Sequence, residues 1–241
     1  MDDFSGKTVV VTGSASGIGE AVARGFAAAG ASIVVNSVTS HERGTNVAES
    51  LPSAIYIQAD ITDEADCVRV ISGATDTFGS VDVLVNNAGF TKVIPYRDLD
   101  AATDETWDRI WRTNVMGTWY MSRAAARVMR TGSSIINITS VAGLRAMGSS
   151  IPYGTSKAAL NQMTVFLAKA LGPDIRVNAV APGLIDTDWT SDWDEIRNTV
   201  QKSAALRRSG QPADVAEACL GIARSAYMTG AIVKLDGGLT L

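Results

Sequence analysis

The sequence predicts an α/β protein: one doubly wound domain on a seven-stranded parallel sheet. Short runs rich in Val and Ile recur seven times and are almost wholly apolar, as strands covered on both faces must be. Helix-forming stretches alternate with them from one end of the chain to the other. The first run leads straight into a glycine-rich turn that opens a helix. At 241 residues, 46% hydrophobic and 19% charged, the chain is long enough to bury one large core.

The strands are expected at KTVVV (7–11), ASIVV (31–35), AIYIQ (54–58), VDVLV (81–85), SSIINI (133–138), IRVNAV (175–180) and AIVKL (231–235). EAVARGFAAA reads as the first helix, stopped by Gly30, and a weaker helix is expected near 42–51. DEADCVRVISGATDTF follows, then one long helix over 106–129, a helix from Pro152 to Gly172, and PADVAEACLGIARS. Pro212 suits the first turn of its helix, and Gly30 and Gly172 suit C-terminal stops. Segment 184–211 interrupts the alternation just past a strand's carboxyl end and is expected to be a substrate lid. No repeat or linker divides the rest, so 1–241 reads as a single domain.

Composition excludes several function classes. A net charge of -4 gives no electrostatic footprint for nucleic acid or an anionic membrane. Cys67 and Cys219 are far apart, and His41 is the only histidine, so a metal site or a Ser-His-Asp triad lacks material. His41 is expected on an exposed loop. No basic segment followed by an apolar one opens the chain and no 18-residue apolar run occurs, so a cytoplasmic protein is expected.

Two patterns point to chemistry. In T-G-S-A-S-G-I-G (12–19), Gly13, Gly17 and Gly19 permit a tight turn and close backbone approach, while Ser16 and Ile18 lie at a helix N-terminus that suits a pyrophosphate. Between a first strand and a first helix, this spacing marks a dinucleotide-binding Rossmann turn. Tyr153 and Lys157, four apart at a helix start, stack on one face. An ammonium there lowers the phenol's pKa from about 10 toward the range of a general acid/base.

Over essentially its whole length the sequence resembles the short-chain dehydrogenase/reductase family. The resemblance is carried by TGSASGIG, N-N-A-G at 86–89, Asn114, Ser140 after a strand, the Tyr153/Lys157 pair and P-G-L-I-D-T at 182–187. It implies an oxidoreductase that moves a hydride between C4 of a nicotinamide cofactor and a ketone or secondary alcohol. It further implies that Tyr153 exchanges a proton with the substrate oxygen and that Ser140 hydrogen-bonds that oxygen. Lys157 would lower the tyrosine's pKa and bind the nicotinamide ribose, and Asn114 would hold a water linking Lys157 to solvent. Asn86 is similar to the residue near the adenosine ribose, with Asn87, Ala88 and Gly89 in the same cofactor contact. Asp60, with the Ile61 backbone beside it, resembles the carboxylate at the adenine amino group. Pro182, Gly183, Ile185 and Thr187 resemble the segment at the nicotinamide, where Thr187 anchors the carboxamide. Thr12 is expected to buttress the turn.

Where a carboxylate normally binds the ribose 2′-OH, the sequence has Asn36 and Ser37 and no acid, so NADP is favoured over NAD. Relatives that use NADP often carry Arg or Lys where Ser16 and Val38 stand here, which leaves His41 or Arg43 to supply charge. Trp189 and Trp193, among Asp188, Asp192, Asp194 and Glu195, suit a neutral or cationic substrate with an apolar body, and equally suit a lid packed on the sheet. Within the family the sequence is similar to 3-oxoacyl-carrier-protein reductases and the ketone reductases beside them. An acidic carrier asks for basic residues near the cleft; Arg123, Arg127 and Arg130 are candidates, whereas Pro173 and Asp174 stand where another would help. The competing class is a cofactor-binding sensor that has lost catalysis. Such proteins usually lack the tyrosine or the lysine, and both are here. Family members commonly form homotetramers, and Trp107, Trp111, Met116, Trp119, Tyr120 and Met121 offer the apolar surface for one.

Overall fold

The computed structural model describes residues 3–241. Seven strands, β1 (Thr8–Val11), β2 (Ser32–Ser37), β3 (Ala54–Gln58), β4 (Val83–Asn86), β5 (Ser133–Ile138), β6 (Ile175–Pro182) and β7 (Ile232–Leu235), form one sheet in the order β3-β2-β1-β4-β5-β6-β7. Every neighbouring pair is parallel. The order reverses between β1 and β4, and the crevice at their carboxyl ends is where such sheets take ligands.

Side chains alternate across the sheet. Val9 and Val11 face one way, onto α1 (Gly17–Ala28), α2 (His41–Glu49) and α8 (Pro212–Arg224), around Phe26, Val47 and Ile222. Val10, Leu84 and Ile135 face the other, onto α3 (Glu64–Phe78), α5 (Thr118–Ala126) and α6 (Ile151–Leu171). All of these strand residues are buried.

Three expectations change. The long helix over 106–129 is broken into α4 (Asp104–Trp111), a π-helical turn at Arg112–Gly117, and α5. Met121 on α5 is fully buried in the core and adds nothing to a free surface. His41 is exposed but opens α2 instead of lying in a loop, with its ring edge-on to Tyr56 at 5.3 Å. The 184–211 segment, expected as a lid, holds a short helical turn at Asp188–Thr190 and then α7 (Asp194–Ser203), which is no departure from that expectation. Among the described residues no helix is long and apolar enough to cross a membrane, and no group of three or more His, Cys, Asp or Glu is placed to hold a metal.

Candidate active site

Loops at the carboxyl ends of β1, β4, β5 and β6 converge on one cleft. Its floor is bare backbone. Gly13 has a φ of +63°, and a Cβ there would come 2.9 Å from the Ala88 Cα. A Cβ on Gly19 would overlap the Gly13 carbonyl oxygen. Thr12 is buried and its hydroxyl accepts from the backbone N–H of both Asn87 and Ala88 (3.0 Å each). The Asn87 amide donates to the Thr12 and Gly13 carbonyls (2.9 and 3.0 Å). Thr12 thus buttresses the turn, as expected.

This floor lines a groove of about 840 Å³ that also contains Ser16, Ile18, Asn36, Ser37, Asp60, Ile61 and Gly89. Ser16 leaves the first turn of α1 without a side-chain cap, so its N–H groups remain to receive an anion. A glycine cradle beside an uncapped helix N-terminus fits a dinucleotide. Asp60 accepts from Thr62 N (2.9 Å), and its own N–H donates to Asp66.

Two expected contacts move. Asn86 lies inside the core, donating to Ser122 (3.0 Å) and Asn137 (2.9 Å), so Asn87 is the asparagine at the cleft. Asn36 borders the groove, but its amide donates to the Ile57 and Ala59 carbonyls (3.1 and 3.2 Å) and accepts from Gly13 N (3.4 Å). It ties β1, β2 and β3 together and has no donor left for a ribose. Its strand position, visible in sequence, did not reveal which way the amide turns.

A narrower cavity of about 170 Å³ continues from the groove and holds Ser140, Tyr153 and Lys157. Pro182, Gly183, Ile185 and Thr187 line it from β6 and the lid. Ser140 has extended backbone at the end of the β5 loop; its hydroxyl accepts from Ala142 N (3.1 Å) and lines the same cavity as Tyr153. Ser150 caps α6 by accepting from Tyr153 N, which fixes the start of the helix and the heading of the phenol. Lys157 is buried, with Nζ donating to the Ile138 carbonyl (3.0 Å) and lying 5.7 Å from the Tyr153 ring centroid.

The electrostatics differ from expectation. Burial pushes the Tyr153 phenol up to about 12, with the polar Ser140 hydroxyl pulling the other way. Burial also brings the Lys157 ammonium down to about 8. Desolvation outweighs any help from the lysine, so the phenol holds its proton at neutral pH.

Asn114 sits in the π turn, fully buried. Its amide donates to Phe90 O (3.0 Å) and Ser156 (2.9 Å) and accepts from Phe90 N (2.8 Å). Both amide hydrogens are engaged with protein, so the side chain pins the 86–90 loop to α6 instead of donating to a water. A Cβ on Gly89 would come 3.3 Å from Asn114 Oδ1 and 3.7 Å from Lys157 Nζ, so glycine opens the path between them.

Sequence reasoning missed the cavity's far wall. Val141, Met147, Leu184 and Leu239 line it, and its Thr91 and Ser149 hydroxyls bond each other at 2.5 Å. Trp189, Trp193, Ile196 and Val200 line it from the 184–211 segment, the last three at helical spacing. The candidate basic residues do not gather here. Arg127 and Arg130 are exposed between α5 and the start of β5, at the amino-terminal end of the strands and away from the cleft, and Arg123 pairs with Glu64.

A family model described as enoyl-(acyl carrier protein) reductase matches residues 13–240. The chain belongs to the short-chain dehydrogenase/reductase family. One relative, the granaticin polyketide synthase putative ketoacyl reductase 2 of Streptomyces violaceoruber, is 48% identical over 96% of this chain and 95% of its own. A 3-oxoacyl-[acyl-carrier-protein] reductase of Thermotoga maritima is 36% identical over 99% of both chains. A short-chain dehydrogenase of Burkholderia cenocepacia, solved in complex with NADP, superposes with a TM-score of 0.93 at 32% identity, covering 99% of each chain. The protein is thus an oxidoreductase of this family.

Proposed function

We propose that the protein interconverts a neutral ketone and its secondary alcohol with NADP, with Tyr153 as the acid/base. One observation carries the reading: the Tyr153 phenol, Ser140 and Lys157 line one largely apolar cavity that opens directly onto the glycine groove. The Gly13–Gly19 turn, Asp60, Asn87–Gly89, Lys157 and Thr187 are the residues to hold the dinucleotide. When bound, the nicotinamide supplies or accepts the hydride.

In reduction, Tyr153 donates its proton to the substrate oxygen while the Ser140 hydroxyl orients that oxygen; in oxidation Tyr153 takes the proton back. Lys157, charged at neutral pH, stands beneath Gly89 to stabilise the phenolate left behind and to bind a ribose hydroxyl. Apart from Lys157 the cavity lining offers no cation, and its Thr91 and Ser149 hydroxyls are paired with each other. An anionic substrate would lose its hydration there without compensation, which supports a neutral one with an apolar body. Names of relatives favour a second reading, a 3-oxoacyl group on a carrier protein.

An apolar groove of about 840 Å³ between α5 and α6, lined by Trp119, Met163 and an exposed Phe166, supports self-association, with the homotetramer as the expected form. The function is tested by following nicotinamide absorbance with NADPH or NADH against 2-tetralone, free acetoacetate and a carrier-bound acetoacetyl thioester. Turnover of 2-tetralone with NADPH, well above that of acetoacetate, is expected. Turnover of the carrier-bound thioester alone would replace the first reading with the second, and no turnover of any ketone would overturn both.

A further inference from the structure

The two residues at the end of β2 are poor discriminators between cofactors. Asn36 is consumed by backbone, and the Ser37 hydroxyl is hydrogen-bonded to the Tyr56 hydroxyl at 2.9 Å. A cation that reads a phosphate must come from elsewhere.

Outside the glycine turn lies a second compartment of about 630 Å³. It shares Ala15, Ser16, Gly17, Thr187 and Asp188 with the main groove, so the two meet at the first turn of α1. Two guanidinium groups line it, Arg24 and Arg43. Arg24 is held by Glu20 (2.9 Å) and by the Ser50 hydroxyl (3.0 Å). Arg43, in the first turn of α2, has a single ion-pair partner among the described residues: Asp188 of the lid, at 3.2 Å.

That pair is exposed, with side-chain accessibilities of 64% and 82%, and such pairs hold weakly in water. A phosphate dianion carries more charge and matches the guanidinium fork, so it outcompetes one solvated carboxylate. Ser16 and Ser40 stand at the starts of α1 and α2, and neither hydroxyl caps its helix, so both remain to donate to phosphate oxygens.

Resting on the NADP reading above, we propose that Arg43 recognises the cofactor's ribose 2′-phosphate, and that Asp188 of the lid competes with the phosphate for it. Asp188 is adjacent to Trp189, which lines both the groove and the substrate cavity. Cofactor choice is therefore linked to the lid that shapes the substrate site.

The test is equilibrium binding of NADP⁺ and NAD⁺ followed by tryptophan fluorescence, with no turnover involved. Wild type should bind NADP⁺ about tenfold or more tighter than NAD⁺. Arg43→Gln should weaken NADP⁺ by about 10- to 100-fold and leave NAD⁺ within about twofold, the latter also showing that the variant is folded. Asp188→Asn should tighten NADP⁺ by about three- to tenfold, and should do nothing in the Arg43→Gln background. A wild type that prefers NAD⁺ would overturn the NADP reading and this assignment with it. A wild type that prefers NADP⁺ and keeps that preference in Arg43→Gln would overturn the assignment alone. An Asp188→Asn variant with unchanged NADP⁺ affinity would overturn the competition.

Discussion

The glycine floor and the lid face each other across one cleft, and they are held by opposite kinds of contact. On the floor, Thr12, Asn36, Asn87, Asn114 and Lys157 are each engaged with backbone, and four of the five are buried. Close backbone approach leaves no room for a Cβ at Gly19. The lid is tied by ion pairs. Arg197 joins Asp186 (3.0 Å), Asp194 (2.6 Å) and the Thr190 carbonyl (3.0 Å), and Arg43 reaches Asp188. Trp189 is 50% exposed and Ile196 37% exposed while lining the cavity. The floor fixes where reacting groups stand, and the lid presents apolar surface that a substrate body can cover.

The difference is broken most severely at Gly19. Gly19→Ala drives a methyl into the Gly13 carbonyl and should cost about 3 kcal/mol or more, seen as a lowered urea midpoint together with lost cofactor affinity. Next is Asn36→Asp, which removes two donors and sets a carboxylate against the Ile57 and Ala59 carbonyls. It should destabilise the fold by about 2–4 kcal/mol without switching cofactor preference. Unchanged stability with a switch to NAD would return Asn36 to the ribose.

These two positions show what could be read from sequence. Glycine spacing between strand and helix revealed the turn because only glycine allows that approach, and the β-branched runs revealed all seven strands. Asn86 and Asn36 were misplaced because an asparagine amide serves a core network or a ligand equally well, and only its neighbours decide. The π turn was invisible because RTNVMG lies within one continuous helical pattern, and a single widened turn leaves no signature in residue type. The Arg43–Asp188 pair spans 145 residues, a separation no local pattern encodes.

Lys157 sharpens the comparison through pH. With its pKa brought from 10.5 down to about 8, the unfolded chain binds more protons than the folded one between those values, so stability rises with pH there. Tyr153, raised from 10.0 to about 12, reverses the trend above pH 10, where the folded chain binds more protons. Lys157→Met should flatten the rise between pH 8 and 10 and stabilise the protein at neutral pH by about 1–2 kcal/mol in urea unfolding. The smallest effect on stability belongs to the lid. Arg197→Ala should cost about 1 kcal/mol or less yet raise KM for the ketone about five- to tenfold, with kcat within about twofold, in steady-state assays.

The central claim is that the half-buried Tyr153 phenol, in one cavity with Ser140 and Lys157, carries the proton. Tyr153→Phe tests it by removing one oxygen, with kcat for ketone reduction and NADP⁺ affinity measured on the same sample. A fall in kcat of about 100-fold or more with NADP⁺ affinity unchanged within about twofold is the expected result. A variant that kept a tenth or more of the wild-type kcat would contradict the account.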